Sequence, residues 1–149
     1  MAEAASNYRW NDEALFGVHL ALREPPRYRG SDTLPALDQS LNYAVGYETS
    51  ADLLTHMHEI RAQKMPARPG FHAGVPTLHD PSQAPPGYHT AFAWQFVPSQ
   101  PADGGKERWK EHAESYADEI MALWQTYAPN LAEAGYSHTS AGDCVLIAR

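Results

Sequence analysis

The sequence predicts an α+β domain, a mixed and largely antiparallel sheet of about five strands with two helices packed on one face, in the order β-β-α-β-β-α-β. Three observations carry this expectation. Residues 15–22 alternate as a strand does, with Phe16, Val18, Leu20 and Leu22 on one face and Leu15, Gly17, His19 and Ala21 on the other. Two further apolar runs, 71–77 and 88–97, flank a proline-rich connector, as two neighbouring strands would. Trp109, Ala113, Tyr116, Ile120, Leu123 and Tyr127 recur at spacings of three or four, the period of an amphipathic helix.

The elements follow in order. In the first strand the buried face is the one carrying Phe16, Val18, Leu20 and Leu22, because it is the more apolar. Residues 23–35 hold three prolines and one glycine and read as loop. Residues 40–47 form a second strand, ended by Thr49-Ser50-Ala51-Asp52, in which Thr49 and Asp52 can cap each other's backbone amides and open a helix over 51–64. Leu53, Met57, Ile60 and Lys64 line one stripe of that helix, widened by Leu54, and Pro66 and Pro69 follow its end.

The connector between the third and fourth strands is stiff. Asp80 precedes Pro81 and can bond its own backbone, and Pro86-Gly87 suits a type II turn in which glycine supplies the positive φ. The long helix spans 107–127 and stops at Pro129; residues 145–148 can add a short last strand.

Composition bounds the function. A chain of 149 residues is sized for one domain, and 43% hydrophobic content argues for a packed core. The formal net charge of −7, with no cluster of Lys and Arg, disfavours a nucleic-acid partner. Cys144 is the single cysteine, so no internal disulfide forms and a reducing, cytoplasmic setting is the expectation. Residues 1–7 lack a secretory pattern, and no transmembrane segment is predicted.

Eight histidines invite a metal-site reading. His56 and His58 sit two apart on a helix and diverge by about 200°. His72, His79 and His89 can converge if the third and fourth strands pair, with Asp80 adding a carboxylate, but structural hydrogen-bonded histidines explain them more simply. No Gly-x-Ser-x-Gly elbow occurs, Cys144 has no patterned partner, and Asp118-Glu119 reads as a solvated helix face. No catalytic residue is assigned.

The string Asp80-Pro81-Ser82-Gln83-Ala84-Pro85-Pro86-Gly87-Tyr88-His89 resembles the signature Asp-Pro-Ser-x-Ala-Pro-Pro-Gly-x-His of phytoene dehydrogenase-like flavoproteins, which include the pyridine nucleotide-disulfide oxidoreductase domain-containing group. Tyr8-Arg9-Trp10 with the run 15–27, and the helix from Trp109 to Ala128-Pro129-Asn130, resemble segments of the same family in the same order, so the resemblance covers about residues 8–130. It implies an FAD-dependent oxidoreductase whose substrate-domain sheet walls an apolar cavity facing the flavin, with a hydrophobic or carotenoid-like small molecule as substrate. Tyr43, Phe92, Trp94 and Phe96 are the residues it would place on that wall.

The sequence departs from the family in two places. It contains no Gly-x-Gly-x-x-Gly string, so no flavin site and no cofactor are expected for this chain alone. Residues 131–149 do not resemble the family's continuation and read as a divergent tail. The expectation is a substrate-domain fragment without redox activity of its own, partnered by a flavin domain. Two alternatives stand beside it: a stand-alone module that binds an apolar ligand or forms a homodimer, and a metal enzyme built on the histidines.

Overall fold

The computed structural model describes residues 13–132 with their side chains, and the backbone of 138–141 and 144–147. The strands are β1 (Glu13–Leu22), β2 (Tyr43–Val45), β3 (Phe71–Gly74), β4 (His89–Pro98), β5 (His138–Ala141) and β6 (Cys144–Ile147); the helices are α1 (Ser50–Arg61) and α2 (Glu107–Tyr127). Their order across the sheet is β2-β3-β4-β1-β6-β5. The first four strands run antiparallel to their neighbours, and β6 joins β1 in parallel. The α+β class and the mixed, largely antiparallel sheet agree with the sequence; the sixth strand is β5, which pairs with β6 inside the stretch read as a divergent tail. The opening segment Tyr8-Arg9-Trp10 and the predicted strand residue Ala148 lie outside the described residues.

Alternation sets the two faces of the sheet. Phe16, Val18, Leu20 and Leu22 of β1 are buried, as are Ala91, Ala93, Gln95 and Val97 of β4 and Phe71 and Ala73 of β3. Over them lie Tyr116, Ala117, Ile120, Met121 and Trp124 of α2, a stripe displaced by one residue from the one centred on the sequence period. Trp124 is fully buried, packs its ring against Phe71, and donates its indole N–H to the Tyr28 hydroxyl at 3.0 Å. Phe16 meets Trp109 and Tyr116 with ring centroids 5.4 and 5.3 Å apart, which pins the N-terminal half of α2 to β1.

The capping box of α1 forms as the sequence predicts: the Thr49 hydroxyl accepts from Asp52 N, and the Asp52 carboxylate accepts from Thr49 N. The Thr49 hydroxyl also donates to the Asp52 carboxylate at 2.8 Å, and this bond, with the one from Thr49 N, holds the Asp52 carboxyl below its ordinary pKa. The predicted burying stripe of this helix is corrected. Ile60 is buried as expected and Met57 is half-buried, but Leu53, Leu54 and Lys64 are exposed, and His56, outside the predicted stripe, is buried in their place. The imidazole finds hydrogen-bond partners underneath, whereas the leucines face solvent beyond the reach of the sheet.

The connector is as rigid as its residues imply. Asp80 accepts from Ser82 N, Ser82 Oγ and Gln83 Nε2 at 3.1, 2.6 and 3.1 Å, closing a short 3-10 turn over Pro81–Gln83. Gly87 has φ +81°, and Tyr88 N donates to Pro85 O, the type II turn expected at Pro86-Gly87. Residues 75–78 leave β3 earlier than predicted and form another 3-10 turn over Pro76–Leu78.

Candidate functional site

Both helices cover the same side of the sheet, and among the described residues no helix covers the other side of β1, β4 and β3. That face is built by the even residues of β4 and their cross-strand neighbours. Phe96 stands opposite Leu15, Trp94 opposite Gly17 and His72, and Phe92 opposite His19 and Gly74. Leu15 is 43% exposed, Trp94 36% and Phe96 54%, large apolar surfaces that a sheet in water ordinarily covers. From Leu15 to Ala21 on β1, from Thr90 to Phe96 on β4 and at His72 and Gly74 of β3, no position on this face is a carboxylate, lysine or arginine. Glu13, at the outer end of β1, shares their parity and marks the rim.

Four rings tile the centre of the face. Phe92 and Trp94 lie in contact with centroids 4.3 Å apart. His19 from β1 flanks the pair at 6.5 and 6.1 Å, and His72 from β3 flanks it on the opposite side at 5.6 and 6.4 Å. Trp94 Nε1 donates to His19 Nε2 at 3.3 Å. Burial lowers the pKa of His19, since its charged form loses solvation against the rings. Gly74 makes room for the tile: a methyl group there would stand 2.7 Å from Phe92 Cζ.

Tyr43 does not belong to this face. It is opposite Ala73 in the register, stacks on Tyr28 with centroids 4.2 Å apart, and donates its hydroxyl to Leu37 O, all on the helix-covered side. With three residues, β2 is too short for alternation to assign its sides. Phe92, Trp94 and Phe96 share the open face. His19, which sequence reasoning placed on a strand face without giving it a role, joins them; its parity with Leu15, opposite the apolar face of β1, is the signal that identifies it.

The histidines do not assemble a metal centre among the described residues. Among the described residues no three His, Cys, Asp or Glu side chains are grouped to hold an ion. Strand parity separates the candidates: His72 is on the open face, His89 bonds Thr77 Oγ1 through Nδ1 at 3.1 Å, and His79 is exposed in the connector. The side chain of Cys144 lies outside the described residues.

A buried polar relay ties the helix side to the open face. His56 donates Nε2–H to Phe96 O at 2.8 Å, and its Nδ1 lies 3.0 Å from the Tyr47 hydroxyl, which donates to Gly70 O at 2.5 Å. Gln95 Nε2 reaches the same Nδ1 at 3.4 Å. Burial pushes the Tyr47 hydroxyl pKa up to about 12. The cleft beside it, lined by Tyr47, Asp52, His56, Glu59 and Arg68 among others, holds about 120 Å³. Ligand sites run to about 300–1,000 Å³, so the cleft is too small to hold an organic substrate. The relay is structural: it fixes the backbone of β4 beneath Phe96.

No family model matches the chain, and no solved structure matches it. The chain is similar to a limonene dehydrogenase subunit of Castellaniella defragrans, with 32% identity over 127 residues that make up 83% of this chain and 22% of that protein. It thus spans about a fifth of the length of this curated relative, and its similarity is to part of an oxidoreductase subunit. Among the described residues no helix is long and apolar enough to cross a membrane.

Proposed function

We propose that this chain is the substrate-domain portion of an FAD-dependent, phytoene dehydrogenase-like oxidoreductase, and that its open sheet face walls the apolar cavity in which the substrate meets the flavin. The observation that carries this reading is the uncharged tile of Phe92, Trp94 and Phe96 on the one sheet face that no helix covers among the described residues. The similarity to one fifth of a limonene dehydrogenase subunit supports it from a second side: limonene is a hydrocarbon, and a wall of rings without charge binds such a molecule by area alone. The signature turn at Asp80 to Gly87 and the helix ending in Ala128-Pro129-Asn130 supply the flavoprotein resemblance.

In this role the chain does no redox chemistry. Bound FAD would take the hydride, and this chain's residues exclude water and orient the substrate. The chain contains no dinucleotide fingerprint, so the flavin belongs to the remainder of the oxidoreductase. The test is to mix purified chain with excess FAD, desalt, and record absorption at about 350–500 nm, then titrate limonene while following tryptophan fluorescence. A colourless protein whose emission saturates with limonene agrees with the reading; retained flavin, or no response to limonene, overturns it.

The same bare face favours a second reading, a homodimer joined through it. Sedimentation at increasing concentration separates the two, because a dimer buries Phe96 and Trp94 and leaves no room for limonene.

A further inference from the structure

We infer that His19 is a positioning residue of the open face: its ring nitrogen clasps the Trp94 indole against Phe92, and protonation of the ring releases it. The inference rests on the wall reading for its functional meaning, but the clasp stands on geometry of its own. Trp94 is directly opposite Gly17, not His19. Gly17 has no side chain, so the indole lies across β1 and reaches diagonally to His19 Nε2, 3.3 Å away. An indole N–H can only donate, so the acceptor decides where the ring points.

For Nε2 to accept, the imidazole must be neutral with its proton on Nδ1. A protonated ring presents N–H on both nitrogens, and the Trp94 bond is lost. The groups facing His19 favour the neutral form. β1 offers Leu15, Gly17 and Ala21 on this face, and β4 offers Thr90, Phe92, Trp94 and Phe96. The position opposite His19 on β6 is Leu146. Among the described side chains of these strands the titratable neighbour is His72 of β3, another imidazole against the same two rings; on β6, Cys144 shares the register parity of Leu146. Both helices pack on the far side of the sheet. The carboxylate that shares this parity, Glu13, stands at the strand's end, about 20 Å away at the rise of an extended chain and too far to hold an imidazolium. Burial lowers the His19 pKa in the same sense.

The tile therefore has two states. Above the His19 transition the indole is held against Phe92, tilted by 31° with centroids 4.3 Å apart, and extends the apolar wall; below it the indole is free to rotate and the wall is broken. The transition falls below the ordinary imidazole value of 6.5.

The experiment uses the full chain labelled with nitrogen-15, following the Trp94 indole N–H resonance, identified by its loss in Trp94→Phe, from about pH 7.5 to about pH 4.5, a range that brackets an imidazole transition. The expected result is one titration with its midpoint below 6.5 and at least a fivefold faster solvent exchange of the indole proton on the acid side. His19→Gln, whose amide oxygen replaces the acceptor without titrating, keeps the proton protected and the resonance flat; His19→Leu exposes it at every pH. A flat resonance in the parent, or identical exchange in His19→Leu and parent, overturns the clasp. Limonene added at each pH separates the two proposals. A resonance that titrates but ignores limonene keeps the clasp and sinks the substrate wall, whereas limonene bound equally at both ends with a flat resonance sinks the clasp alone.

Discussion

Replacing Gly70 with alanine drives a methyl group into the Tyr47 ring, 2.6 Å from Cζ and 2.9 Å from Cδ1. Cζ lies on the axis about which the ring flips, so flipping does not relieve the contact and the whole ring must move. Moving it breaks the hydroxyl bond to Gly70 O and the contact with His56 Nδ1. Overpacking of this kind costs about 1–3 kcal/mol, and each lost hydrogen bond about 1 kcal/mol. The reduced entropy of the unfolded chain returns about 0.4–1 kcal/mol. The net expectation for Gly70→Ala is a loss of about 3 kcal/mol. With a urea slope of about 2 kcal/mol/M, the unfolding midpoint falls by roughly 1.5 M. The decisive comparison is Gly70→Ala in a Tyr47→Ala background, where the clash is absent and the glycine change costs nothing further. A Gly70→Ala chain within about 0.5 kcal/mol of the parent, or costs that simply add across the two positions, would refute the argument.

Trp124→Phe removes the bond to the Tyr28 hydroxyl and part of the volume under Phe71, for about 2 kcal/mol and a drop in Tm of roughly 4–8 °C in a thermal melt. Thr49→Ala opens the α1 cap. The Asp52 carboxyl has a depressed pKa in the folded chain, so its contribution is present above the unfolded value and fades as pH falls through the folded one; the parent's advantage in Tm over Thr49→Ala shrinks across that acid range and is constant above it. Phe96→Ser takes a ring from the open face rather than from the core, so stability changes by no more than about 0.5 kcal/mol while limonene binds about tenfold more weakly. A loss of stability beyond about 2 kcal/mol would show that Phe96 is not at a free surface.

Much of the fold is legible in the sequence because its period is strong. The helix over 107–127 is found with the same bounds, since its apolar spacing persists for about six turns. The face of β1 is equally clear, because Phe16, Val18, Leu20 and Leu22 make an unbroken apolar row while the other parity carries Gly17 and the polar His19. Where period is weak, local rules fail. Tyr43 sits on a three-residue strand, and its side is set by the stacking partner Tyr28, which lies in a stretch read only as loop. In α1 the leucines promise a buried stripe, but the tertiary partners Phe96 O, Tyr47 and Gln95 draw His56 inward instead. The connector is read correctly down to its type II turn, because proline and glycine constrain φ without help from tertiary contacts. The candidate site is half legible: parity places Phe92, Trp94 and Phe96 together, but which face stays bare depends on where the helices land.

The parallel pairing of β1 with β6 has a consequence for biosynthesis. β1 obtains its antiparallel partner when β4 is complete at Pro98, but its other edge waits for residues 144–147. At about 5–20 residues per second the ribosome needs roughly 3–10 s to cover that distance. During this interval the strand offers unpaired amides and carbonyls along an edge whose neighbours are Phe16, Val18 and Leu20 on one side and the ring tile on the other. Such an edge is a template for any second nascent copy. Yield from closely spaced ribosomes should therefore depend on translation speed through residues 99–147, a dependence that a chain with all its strand neighbours close in sequence would not have.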